Sequence, residues 1–181
     1  GSNAAFFTGL NNTSIGWYNA GANTTLSGVA NAYALRITGT STLTGGGINI
    51  HSGGLLTNGT VVLSATTPLY FGDGTTPAEG IVYVADSSLV LNGVVTANNL
   101  TYGGPGFLQL TNTANAISGT IQMNGGLLYI DGNGARGTAT EIVLSGDYLN
   151  NNNGNQMPSL RLRHNSATTT YTGLNVTVAE N

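Results

Sequence analysis

Residues 104–130 read GPGFLQLTNTANAISGTIQMNGGLLYI. Three apolar pairs punctuate the stretch, Leu108/Leu110, Ile121/Met123 and Leu128/Ile130, each split by a single Gln or Tyr. A period of two is that of a strand with one buried face, and the segments between carry Gly, Asn and Ser, the residues of tight turns. The first pair precedes the second by 13 residues, and the second precedes the third by 7. Strands recurring within a lap of about 20 residues predict a parallel β-solenoid, in which each lap stacks on the one before.

The same spacing returns at 34–56, ALRITGTSTLTGGGINIHSGGLL. Leu35/Ile37 is followed 13 residues later by Ile48/Ile50, then by Leu55 or Leu56, and Gly53-Gly54 is matched with Gly125-Gly126. Two interleaved series extend the period: Leu89, Leu108 and Leu128 lie 19 and 20 apart, while Leu100, Ile121 and Ile142 lie 21 and 21 apart. Val61/Leu63, Leu69/Phe71, Val82/Val84, Leu160/Leu162 and Leu174/Val176/Val178 complete the strand expectations, and the runs FGDGTTPAEG and NNNNGN are expected as loops. The predicted fold is an all-β, right-handed parallel β-helix of eight or nine laps, about 40 Å long at ~4.8 Å per lap. Its handedness is taken from the family resemblance given below and from the general chirality preference, and Asn92, Asn112 and Asn133, recurring at the lap period, are expected to form an internal asparagine ladder.

Composition agrees with an all-β chain. Of 181 residues 28 are Gly, 26 Thr and 23 Asn, and only 11 carry a formal charge, so helix formers are scarce and turn and β-branched residues abundant. A net charge of −3 with four Arg and no Lys provides no basic stripe for nucleic acid. Absence of Cys excludes disulfide scaffolds, zinc–thiolate centres and thiol nucleophiles. Residues 1–4, Gly-Ser-Asn-Ala, read as an expression-tag remnant, and 5–181 as one β-helical domain. The last repeat stops partway, so the chain is expected to be a fragment of a larger protein.

The residues at 104–130, G-x-G-x-L-x-L followed by S-G-T-I-x-x-N-G-G-x-L-x-I, resemble the autotransporter-associated β-strand repeat, also called the passenger-associated transport repeat. TYTG-L-N-V at 170–176 is similar to the core of that repeat. The resemblance implies a right-handed β-helix in the passenger of a Gram-negative surface protein, outer-membrane-anchored or secreted, acting as stalk or adhesin and assisting export. It implies no catalytic residues, no cofactor and no metal. The expected partners are the rest of the parent chain, including a C-terminal outer-membrane barrel, and surface glycans. End-to-end self-association is expected from the open strand edges of such a rod.

The ionisable residues are read against that background. A β-helix can also be a polysaccharide-active enzyme with carboxylates gathered on one face. Here the acids are Asp73, Glu79, Asp86, Asp131, Glu141, Asp147 and Glu180; Asp73, Asp131 and Asp147 each adjoin Gly in turn-like contexts, so turn roles are preferred over calcium binding or catalysis. DGNG at 131–134 lacks the downstream acid of a calcium loop. LRLRH at 160–164 sends Arg161 and Arg163 to one face, either as a solvated strand or as a contact for an acidic glycan. His51 is read as a turn residue, His164 as inward or at a turn, and Trp17 with Tyr18 as part of an irregular first lap or, more sharply, a sugar platform.

Overall fold

The computed structural model describes residues 15–19, 23–51, 54–145, 158–163 and 170–179, without the side chains of 15 and 17–19. Strand is the dominant element among them, numbered here in chain order and arranged in three parallel rows. The first row stacks β1 (Ile15–Asn19), β4 (Ala34–Thr38), the start of β7 (Gly54–Leu63), the start of β9 (Gly80–Leu91), β11 (Leu100–Gly103), β14 (Thr120–Met123), β16 (Glu141–Leu144) and β18 (Asn175–Val178). The second stacks β2 (Thr24–Leu26), β5 (Ser41–Gly45), the ends of β7 and β9, β12 (Phe107–Leu110), β15 (Leu127–Asp131) and β17 (Ser159–Arg163). The third stacks β3 (Ala30–Ala32), β6 (Ile48–Ile50), β8 (Leu69–Phe71), β10 (Val95–Ala97) and β13 (Ala116–Ile117). Because β7 and β9 serve two rows, the first and second merge into a 13-stranded sheet, while the third is a separate sheet of five. Long parallel sheets of this kind are compatible with a β-solenoid.

Register explains the core. Leu89 pairs with Leu108 and Leu108 with Leu128, as Leu100 pairs with Ile121 and Ile121 with Ile142, so both series read from the sequence are real stacks. Alternate residues of every row point inward, and their apolar side chains form one cluster from Leu26 to Ile142. Burial at these stacked positions is essentially complete, and each inward aliphatic group removes on the order of 1.5–3 kcal/mol worth of apolar surface from water.

The equivalence expected between 34–56 and 104–130 is shifted by one row. Leu35 pairs with Leu55 in the first row, whereas Leu108 lies in the second. Ile48 lies in the third row, whereas Ile121 lies in the first. Gly54 opposes Ile81 in the first row, while Gly126 precedes Leu127 in the second. The spacing repeats anyway because a lap has three sides of some six or seven residues, so any two-side step followed by a one-side step gives 13 and 7. The sides skipped were the weakly apolar ones, Ser41–Leu43 in the first stretch and Ala116–Ile117 in the second.

Two further features depart from the expectations. Val61/Leu63 and Leu89/Leu91 do not form separate strands, since β7 and β9 run through the corner in 10 and 12 residues. After β13 the third row gives way to a 3-10 turn, η1 (Asn133–Arg136), whose Arg136 is buried. Its guanidinium donates to the carbonyls of Ala139 and Thr172 and, through Nε, to the Asn133 side chain. A buried cation is tolerated only with such partners.

The asparagine ladder is also different in detail. Asn112 donates to the Asn92 carbonyl at 2.9 Å, but Asn133 receives the Arg136 Nε–H instead of continuing the series. The buried asparagine is Asn115, which accepts from the Val95 amide at 2.8 Å and donates to the Ala135 carbonyl at 2.7 Å. It bridges β10 to η1 where the third row stops supplying a strand.

Candidate functional site

The outward half of the second row concentrates the side chains with chemistry. In β12, β15 and β17 the inward positions are Leu108/Leu110, Leu128/Ile130 and Leu160/Leu162, so Phe107, Gln109, Tyr129, Asp131, Arg161 and Arg163 face outward. Pairing sets Gln109 beside Tyr129 and Tyr129 beside Arg161, with Asp131 beside Arg163. Cross-strand neighbours this close must interact.

They do so as one cluster. Phe107 meets Tyr129 edge to face, with centroids 5.6 Å apart and planes at 81°. The Arg163 guanidinium lies 4.4 Å from the Tyr129 ring centre and that of Arg161 lies 5.5 Å from it, both within cation–π range. Arg163 forks onto both oxygens of Asp131 at 2.8 and 3.0 Å, and Gln109 donates to the same carboxylate at 2.7 Å. Arg161 donates to the Tyr129 hydroxyl at 3.2 Å. Burial would raise the Asp131 carboxyl, but hydrogen bonds from Arg163 and Gln109, with the Arg163 charge, outweigh it and hold the group below its ordinary value.

The two arginines therefore project from one face, as their alternation predicts, but they converge on a tyrosine. Arg163 is already matched to a carboxylate. The sequence signal for this cluster lay in the polar half of the alternation, where Phe107 and Tyr129 take outward positions of paired strands.

Elsewhere each acidic group has its own local role. Asp73 accepts from the Thr75 amide, the Thr75 hydroxyl and the Thr76 amide, and these bonds lower its carboxyl to about 2. Glu79 accepts from the Thr101 hydroxyl at 2.6 Å, and Glu141 from that of Thr177 at 2.9 Å. Asp86 accepts the Ser87 amide at 2.6 Å. Among the described residues no three His, Cys, Asp or Glu side chains gather as a metal would require. His51 Nε2 lies 3.4 Å from the Asn31 side-chain oxygen. Asp147, His164, Glu180 and the side chains of Trp17 and Tyr18 fall outside the described residues, as does the loop expected at 150–155.

Compared with protein-family models, curated proteins and solved structures, the chain matches none. With two arginines and one carboxylate the outward cluster is net positive, and its aspartate is engaged by Arg163 and Gln109.

Proposed function

We propose that the chain is a non-catalytic segment of a bacterial surface protein, a right-handed β-helical passenger that serves as stalk or adhesin and assists its own export. Each lap holds about 20 residues, and the eight strands stacked in the first row give eight laps and a rod of about 35 Å. The observation that carries the reading is the in-register stacking of like residues, Leu89 on Leu108 on Leu128 on Leu160, and Leu100 on Ile121 on Ile142 on Val176. Such stacking builds a stiff spacer whose laps contact only their neighbours, so it can be lengthened without redesign. It also allows lap-by-lap folding as a chain emerges from a membrane. The partners in this reading are further repeats of the parent chain and a membrane barrel, with surface glycans as ligands.

Fusing the chain ahead of an outer-membrane β-barrel in a Gram-negative cell tests the proposal. The fusion should reach the surface and be cut by protease added outside, while Ile121→Asp, which puts a charge into the stack, should reduce the exposed fraction severalfold. A wild-type fusion retained in the periplasm would sink the export role. Release of new reducing ends from neutral or acidic polysaccharides by the purified chain would overturn the non-catalytic reading.

A further inference from the structure

The corner entering the second row is built from glycine in lap after lap. Gly39, Gly59, Gly106 and Gly126 occupy it, stacked so closely that a Cβ on Gly59 would lie 2.6 Å from the Gly39 carbonyl oxygen and one on Gly126 would lie 2.7 Å from that of Gly106. Between Gly59 and Gly106 stands Ser87, opposite Gly59 in the register and one residue before Ser88, which pairs with Phe107. Its φ of 56° makes it the one non-glycine in the left-handed region among the described residues. Serine is poorly suited to that conformation and glycine is the default there. A strained residue persisting where its stacked equivalents are glycine points to a use for its side chain.

Ser87 opens onto a cavity of about 300 Å³ lined by Asp86, Ser87, Pro105, Gly106, Phe107 and Leu127. Pro105, Phe107 and Leu127 supply apolar wall, and Gly106 keeps the floor low. Asp86 is the only charged group of the lining; one of its oxygens takes the Ser87 amide, which leaves the other for a ligand. Phe107 is braced edge-on by Tyr129, itself held under Arg163. A ligand matched to this lining has one C–H face to lay against a ring and proline, hydroxyls for a carboxylate and a serine, and no negative charge.

We infer that this corner cavity is a binding site for a neutral hexopyranose unit of a glycan, with Asp86 and Ser87 holding ring hydroxyls and Phe107 packing against the sugar face. A sugar ring fits the volume, and its hydroxyls are the donors that a carboxylate and a serine oxygen accept. The acidic glycan suggested by Arg161 and Arg163 fits less well here, because Asp86 would repel it and Arg163 is occupied by Asp131.

The test is titration of the isotope-labelled chain with methyl β-D-glucopyranoside, methyl α-D-mannopyranoside and methyl β-D-galactopyranoside, each to about 10 mM, where a weak single-sugar site begins to fill, with polygalacturonate as the acidic comparison. At least one neutral glycoside should give saturable shifts at the amides of Asp86, Ser87, Gly106 and Phe107. Ser87→Gly should melt higher than wild type, because glycine relieves the backbone, yet bind at least tenfold more weakly. Asp86→Asn, which keeps the acceptor for the Ser87 amide, should also lose about tenfold. No saturable shift with any neutral glycoside, shifts with polygalacturonate alone, or Ser87→Gly binding like wild type would each overturn the site. A lower melting temperature for Ser87→Gly would do the same, since the serine would then be structural. Binding lost with surface display intact rejects the sugar site alone, and display lost with binding intact rejects only the passenger reading.

Discussion

Asn115 satisfies two backbone groups that no strand reaches, the Val95 amide and the Ala135 carbonyl. Removing a partner from a buried polar group costs more than the net value of the bond, about 1–3 kcal/mol for each orphaned group. Asn115→Ala should therefore destabilise the chain by about 3 kcal/mol in urea titration, while Asn112→Ala, at a half-exposed position, should cost under about 1 kcal/mol. Equal costs for the two would mean that the buried bridge is not what holds β10 to η1. Sequence alone favoured Asn92, Asn112 and Asn133 because their spacing matches the lap. Spacing reports which residues share a side of the lap; it does not report where a row of strands gives out, and that is where a buried amide is needed. The same limit hid Ser87, which reads as an ordinary polar residue until its φ and its glycine neighbours are known.

The pairing of β15 with β17 shows an element held from outside as well as inside. Its inward leucine Leu160 is only half-buried and Leu162 is 40% exposed, so the outward cluster on Tyr129 carries a larger share of the cohesion than it would in the middle of the stack. The Asp131 carboxyl is held below its ordinary value, so its ion pair stabilises the folded state above the unfolded carboxylate pKa of about 4 and fades as pH falls through the lower folded value. The Arg163 side chain is 44% exposed, which limits the pair to about 1 kcal/mol. Arg163→Met should accordingly be less stable than wild type at pH 6, with the gap closing by about pH 2. A gap that persists in acid would assign the stabilisation to guanidinium stacking on Tyr129. The strands themselves were legible in the sequence wherever two aliphatic residues flanked a polar one. Three strands of the third row were harder to read than its Ile48/Ile50 and Leu69/Phe71, because Ala30–Ala32, Val95–Ala97 and Ala116–Ile117 offer small or few apolar side chains. The one-row shift between two stretches of like spacing arose because a different weakly apolar strand was passed over in each, Ser41–Leu43 in the second row and Ala116–Ile117 in the third.

At the scale of the whole stack, the core does not end in the same way that it runs. Leu100, Tyr102, Ile121 and Met123 are fully buried, but Val176 and Val178, next in register after Ile142 and Leu144, are 48% and 57% exposed. Among the described residues β18 pairs with β16 alone, so its other edge carries backbone donors and acceptors that a further parallel strand could pair. An apolar, hydrogen-bonding edge of this kind adds strands, whether from a continuing chain or from a second copy. The purified chain should accordingly show concentration-dependent association in analytical ultracentrifugation. Val176→Lys with Val178→Lys should abolish it, because two charges on the terminal strand are unfavourable inside an apolar interface. Both positions are exposed in the single chain, so the double variant should change urea stability by less than about 1 kcal/mol. Association unaffected by the lysines would place the contact on a lateral face of the stack, and the exposed outer pair Ile81 and Tyr83 of β9 would then be the next residues to replace.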